Sequence, residues 1–166
     1  MFELKPLSRD GIAGALARGE RYRLLNEPGA AESIYLDVLQ IDPDNDQALV
    51  GLLLSLTDQF DHGLPECVSR AREVLPRLRD EYERAYYAGI ICERRARAQL
   101  RQARPGSGTV AYESFREAMS WYEKAEPIRP PGNDDALLRW NACARQLMRH
   151  PHLQPAAEEP YVPHHD

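Results

Sequence analysis

β-Branched residues are scarce in this chain: two Thr, six Val and six Ile stand against twenty Ala and twenty Leu. Strands are built preferentially from β-branched side chains, so a sizeable sheet is excluded and the expected class is all-α. Cysteine is scarce too. Cys67, Cys92 and Cys143 are odd in number and form no C-x-x-C pair, which excludes a disulfide framework and fits reduced thiols in a helical core. The longest apolar run, Ala48 to Leu54, has seven residues counting Gly51, far short of the roughly 20 that a membrane span needs. The opening Met1-Phe2-Glu3-Leu4-Lys5-Pro6 has neither an apolar h-region nor a cleavage site. A soluble, cytoplasmic protein without a membrane partner is expected. Lysine is nearly absent, two against nineteen Arg, and the net charge is −5. This argues against a global attraction to nucleic acid or anionic lipid but leaves room for local Arg patches. No G-x-S-x-G elbow, Walker loop, H-E-x-x-H or G-x-G-x-x-G occurs. No enzymatic activity, catalytic residue, cofactor or metal is expected.

What is present is a helical chain with dense punctuation. Hydrophobic residues make up 43% and charged residues 28% of the 166 positions, the balance of a globular domain. At this size a single domain buries roughly 70% of its unfolded surface and needs no covalent staple. Ser8-Arg9-Asp10 caps a first helix running to about Leu25, and Asn26-Glu27-Pro28-Gly29 turns the chain into a second, Ala30 to Gln40. A strongly apolar third helix, Asp46 to Gln59, is followed by the loop Phe60 to Pro65 and a fourth helix to Leu75, stopped at Pro76. A long fifth covers Asp80 to Ala103. The sixth spans Val110 to Ala125 and the seventh starts under Asn133 and ends near His150. Residues 1–150 form the helical domain. Residues 151–166, with four Pro, form an extended tail that Leu153, Tyr161 and Val162 could anchor.

The helices repeat. Gly19, Tyr22, Ala31, Tyr35 and Pro43 fall at the G-x2-Y…A-x3-F…P spacings, and Ile12 to Asn45 spans 34 residues. Leu49, Leu52, Leu53 and Leu56 share the first-helix spacing, as do Ala85, Ala88, Gly89 and Cys92. Ala118, Tyr122, Ala125 and Pro130 repeat the second-helix spacing, and Leu137, Trp140, Asn141 and Ala144 begin one more first helix. The chain resembles the tetratricopeptide repeat proteins, in particular small stand-alone bacterial ones. That resemblance implies an α-solenoid of about three helical hairpins plus a C-terminal capping helix. Gly19, Gly89, Ala31 and Ala118 would let paired helices approach, with Tyr22, Tyr35 and Tyr122 filling the gaps. Three features depart from the family pattern: Arg18 at an apolar position, about six extra residues at Phe60 to Pro65, and a lengthened third repeat with a Gly-rich loop at Arg104 to Thr109.

Other clusters carry residue types that occur in sites. Asp58, Asp61 and His62, the pair His150 and His152, and His164-His165-Asp166 carry metal-ligand types, but their spacing fits solvated loops better than a zinc site. Glu113 and Glu117 share a helix face as first-turn charges rather than as an acid/base pair. Arg94, Arg95, Arg97, Arg101 and Arg104 crowd the end of the fifth helix, where positive charge complements the helix dipole and could also meet an anionic partner. The resemblance further implies a concave groove lined by the first helix of each hairpin. Carried over by spacing, it names Leu16, Glu20, Arg23, Gln47, Val50, Tyr86, Tyr87, Arg94, Arg139 and Arg145, together with Leu54 and Ile90, which packing between helices would bury. Family members that grip a C-terminal carboxylate do so with Lys, Asn and Arg; Leu16, Glu20, Gly51, Glu83 and Tyr87 stand at those places, so no such clamp is expected. The expected function is an adaptor, scaffold or assembly chaperone binding another protein or peptide segment in the groove. The alternative is a non-catalytic accessory subunit that regulates an enzyme through the Arg-rich helix end and Gly-rich loop. The partner and the oligomeric state are not encoded in any recognisable motif.

Overall fold

A computed structural model describes residues 1–157. About 75% of these residues are helical and none forms a strand. Seven α-helices pack together: α1 (Ile12–Leu24), α2 (Pro28–Ile41), α3 (Asp46–Thr57), α4 (Leu64–Val74), α5 (Glu81–Gln102), α6 (Ser107–Ala125) and α7 (Asp135–Arg149). Among the described residues, no helix is long and apolar enough to cross a membrane.

Local chemistry sets the helix ends. The Ser8 hydroxyl accepts the Gly11 N–H at 3.1 Å, Asn45 Oδ1 accepts that of Ala48 at 2.9 Å, and Asp80 Oδ1 that of Tyr82 at 3.0 Å. Each fills one of the donors that a first turn leaves free. Asn133 does the same for α7, accepting the Asp135 N–H at 2.9 Å. Pro28 and Pro65 sit in the first turns of α2 and α4, where the missing N–H is not needed. The Gly-rich stretch is shorter as a loop than its composition suggests. Gly106 makes the turn at φ 81°, and Ser107, Gly108 and Thr109 already belong to α6. Gly108 has a packing role: a Cβ there would lie 2.9 Å from the His152 carbonyl oxygen.

Each helix packs on the next, and α1 also meets α3, as α3 meets α5. Two apolar clusters result. One joins α1 to α4 and includes Ile91 and Ala98 of α5; the other joins α5 to α7, with Leu54 and Tyr87 against both. The long α5 is therefore the shared wall. Phe60, in the inserted stretch, is 1% exposed and fills the first cluster, so the insertion is packed and not merely a surface loop.

The closest approaches are made by tyrosine rings on glycine backbones. Tyr35 of α2 lies between α1 and α3: a Cβ on Gly19 would stand 2.7 Å from its ring, and one on Gly51 2.3 Å. Tyr122 of α6 repeats the arrangement on α5, 2.5 Å from where a Gly89 Cβ would be. Tyr35 and Tyr122 are buried, whereas Tyr22 is only half-buried at the edge of the first cluster. Beyond α7 the chain turns at His150–Leu153, and Leu153 is 4% exposed within the second cluster. Tyr161, Val162 and the rest of 158–166 lie outside the described residues.

Substituting Gly51→Ala should lower stability by about 1–3 kcal/mol in urea unfolding, because the ring of Tyr35 must shift. Gly14→Ala, in α1 with open space around it, should instead raise it by about 0.5–1 kcal/mol. Equal effects at the two positions would show that Tyr35 does not wedge the helices. Leu153→Ala should cost about 2 kcal/mol, near the lower end for a buried Leu.

Candidate functional site

The last turns of α1 and α3, most of α5 and the first turns of α7 converge on one cleft of about 630 Å³. Arg23 comes from α1. Leu54 and Thr57 come from α3, with Asp58 one residue beyond it. From α5 come Tyr86, Tyr87, Ile90, Glu93, Arg94, Arg97 and Arg101, which recur every three or four residues and so form a stripe along one side. Asp135 and Arg139 close it from α7. Among the described residues, α2, α4 and α6 contribute nothing to its lining.

Seven of the residues named from spacing meet here: Arg23, Leu54, Tyr86, Tyr87, Ile90, Arg94 and Arg139. Leu16, Glu20, Gln47, Val50 and Arg145 are not among the lining residues. Leu16 is buried in the first cluster, with the half-buried Val50 packed against it, and Glu20, Gln47 and Arg145 are exposed elsewhere. The reason is reach: α1 and α3 enter the cleft only with their final turns and α7 only with its first two, so residues further along the same stripes fall outside. The Arg-rich helix end divides. Arg94, Arg97 and Arg101 turn into the cleft, Arg95 turns to a separate groove beside Leu64 and Gln99, and Arg104 is exposed after α5.

Two carboxylates organise the guanidinium groups. Asp58 accepts from Arg23 Nε at 2.9 Å and from Arg94 at 2.5 Å. Glu93, whose side chain is 3% exposed, accepts from Arg97 at 2.9 Å, from Arg139 through two nitrogens, and from the Tyr122 hydroxyl at 3.0 Å. The Cys143 thiol, 3.5 Å away, completes its surroundings. Asp61, at the mouth, takes Arg101 at 2.7 Å. Asp58 and Asp61, considered above as metal ligands, are thus occupied by arginine. His150 and His152 contact each other edge-on at 5.6 Å, with no metal-ligating group of His, Cys, Asp and Glu around them among the described residues, and His164, His165 and Asp166 lie outside those residues. Glu113 and Glu117 are exposed on α6.

Tyrosines form the floor. Tyr86 stacks on Tyr82 at 5.8 Å, meets Tyr87 edge-on at 5.0 Å and leans on Tyr122 at 5.9 Å. Burial pushes the Tyr86 hydroxyl up to about 12 and Tyr87 higher still, so both remain neutral hydrogen-bonding groups at physiological pH. Spacing did not identify Thr57, Asp58, Glu93, Arg97, Arg101 or Asp135 as lining residues. A signal did exist for Glu93. It stands one turn from Gly89 on the buried side of α5, and a carboxylate there requires a buried partner.

Glu93 carries the largest local load. Glu93→Ala should cost about 3–5 kcal/mol because two arginines and a tyrosine lose their buried acceptor. Asp58→Ala, at a partly exposed pair, should cost about 1 kcal/mol. Urea midpoints measure both, and similar losses would contradict the difference in burial.

The protonation of Glu83 is linked to folding. Burial, then a hydrogen bond with the neighbouring Asp46 carboxylate and that group's charge, push Glu83 up to about 7. The folded chain holds this proton to about pH 7, whereas the unfolded chain releases it near 4.5. Stability should therefore fall as pH rises through that window. Glu83→Gln should flatten the slope and exceed wild type at pH 8 by about 1–2 kcal/mol; an unchanged slope in unfolding measured from pH 5 to 8 would refute it.

No protein-family model matches the sequence, and neither the curated proteins nor the solved structures yield a similar protein.

Proposed function

We propose that the chain is a tetratricopeptide-like solenoid acting as an adaptor or assembly chaperone. It holds a segment of a partner protein in the cleft and performs no chemistry of its own. One observation carries this reading: among the described residues, the cleft is lined by α1, α3 and its C-cap Asp58, α5 and α7, the first helix of each consecutive pair and the terminal cap. Stacked hairpins place alternate helices on the inner curve, and that curve is the extended binding surface of such proteins. The order α1–α2, α3–α4, α5–α6 with α7 at the end, and the tyrosine-on-glycine contact in two of the three pairs, support the same arrangement. Half-buried Tyr86 and Tyr87 couple apolar area to hydroxyl groups, as residues that dominate interfaces do.

The accessory-subunit alternative has less support. It needs the Arg-rich helix end and the Gly-rich loop to form one patch, but Arg94, Arg97 and Arg101 line the cleft, Arg95 faces a separate groove and Ser107–Thr109 are helical.

Site-specific photo-crosslinking in the source cell tests the adaptor. Benzoylphenylalanine replacing exposed Arg101 or Asp135 at the cleft should yield a discrete protein adduct. The same residue replacing exposed Ser69 of α4 or Ser120 of α6 should not. Adducts confined to Ser69 and Ser120 would place the interface on the other face and refute the reading.

A further inference from the structure

We infer that the segment held in the cleft is acidic, an extended stretch presenting carboxylates on alternate residues to Arg94, Arg97 and Arg101. This rests on the reading of the cleft as a protein-binding site. The charge balance points to it first. Five Arg and three acidic residues line the cleft and Asp61 pairs with Arg101 beside it, which leaves an excess of one positive charge in a protein whose net charge is −5. An acidic segment is attracted here and repelled by the rest of the surface, which orients it before contact.

The hydrogen-bonding capacity points the same way. Arg23 and Arg94 share Asp58, and Arg97 and Arg139 share Glu93. Each guanidinium offers five N–H groups while a carboxylate accepts about four bonds, so two carboxylates leave most of the donors free. One of these is set inside the wall: Arg97 Nε is buried with no acceptor among the described residues. A ligand carboxylate is the planar, two-oxygen acceptor that a guanidinium fork fits.

Spacing sets the pattern of the ligand. From Arg94 to Arg101 the stripe covers about 10 Å of α5 at roughly 1.5 Å per residue. In an extended chain, alternate side chains project to the same side about 7 Å apart. Acidic residues at i and i+2 thus reach two guanidiniums without bending the segment, while Leu54, Ile90 and the tyrosine floor take its apolar atoms. Nucleic acid fits less well. Tyr86 is stacked on Tyr82, tilted against Tyr122 and edge-on to Tyr87, so its ring is already engaged within the floor rather than set out for a base. The recognition also differs from a grip on a terminal carboxylate, since it uses the C-terminal half of α5 rather than the positions of Leu16, Glu20 and Gly51.

Fluorescence anisotropy with a fluorescein-labelled peptide of alternating Glu and Ser, and its Gln–Ser counterpart, tests the inference. The Glu peptide should bind at least about tenfold more tightly than the Gln peptide and weaken several-fold between about 50 and 300 mM NaCl. Arg97→Gln and Arg101→Gln should each weaken it about fivefold to tenfold while retaining the wild-type circular dichroism, because Arg139 still holds Glu93 and the Arg101 pair is exposed. Arg145→Gln, outside the cleft, should change nothing. Equal binding of the two peptides, no binding of the Glu peptide, indifference to both cleft variants, or tighter binding of labelled poly(U) would each overturn the acidic assignment. The crosslinks at Arg101 and Asp135 do not depend on ligand charge, so they report separately whether the cleft binds a protein at all.

Discussion

Two tyrosine rings seated on glycine backbones govern how closely the helices of this protein stack. Tyr35 occupies the space that side chains at Gly19 and Gly51 would need, and Tyr122 does the same over Gly89. Because the ring of α2 touches both α1 and α3, one side chain sets two helix separations. Packed interiors respond as solids to a displaced ring, so an extra methyl at Gly51 is felt across both interfaces. The cleft depends on this spacing, since it is formed where the ends of α1, α3 and α7 converge on α5.

The second constraint is electrostatic and tied to the first. Tyr122 not only packs on Gly89 but donates its hydroxyl to Glu93, the acceptor for Arg97 and Arg139. Packing of α6 on α5 and the orientation of the cleft arginines therefore share one carboxylate. Arginine suits this duty better than lysine: its planar fork can bind an internal carboxylate with some donors and present the rest outward. The nineteen-to-two preponderance of Arg over Lys acquires a structural sense here, at least for the five that line the cleft.

The helical class, the seven helices and most of their caps were legible in the residues. Scarce β-branched side chains, Ser8, Asn45 and Asp80 at helix starts, and prolines in first turns act over a few residues and leave local marks. The Gly-rich stretch was misleading for the same reason. Gly106 alone takes the left-handed turn, while Gly108 is small because the segment at His152 crosses it, a contact between residues distant in the chain. Likewise Leu153 has no periodicity to announce burial, yet it closes the second cluster.

About half of the cleft followed from helical spacing, which fixes the face a residue occupies but not how far along the helix the neighbours extend. Tyr86, Tyr87, Ile90 and Arg94 lay on the correct stripe of α5 and were found. Leu16, Glu20, Gln47, Val50 and Arg145 lay on comparable stripes outside the turns that converge. The pairing of Asp58 with Arg23 and Arg94, and of Glu93 with Arg97 and Arg139, joins residues on different helices. Local propensity and periodicity act within a turn or two and so determine helices, caps and faces. The partners of a buried charge depend on where separate helices cross, which only the packed chain decides.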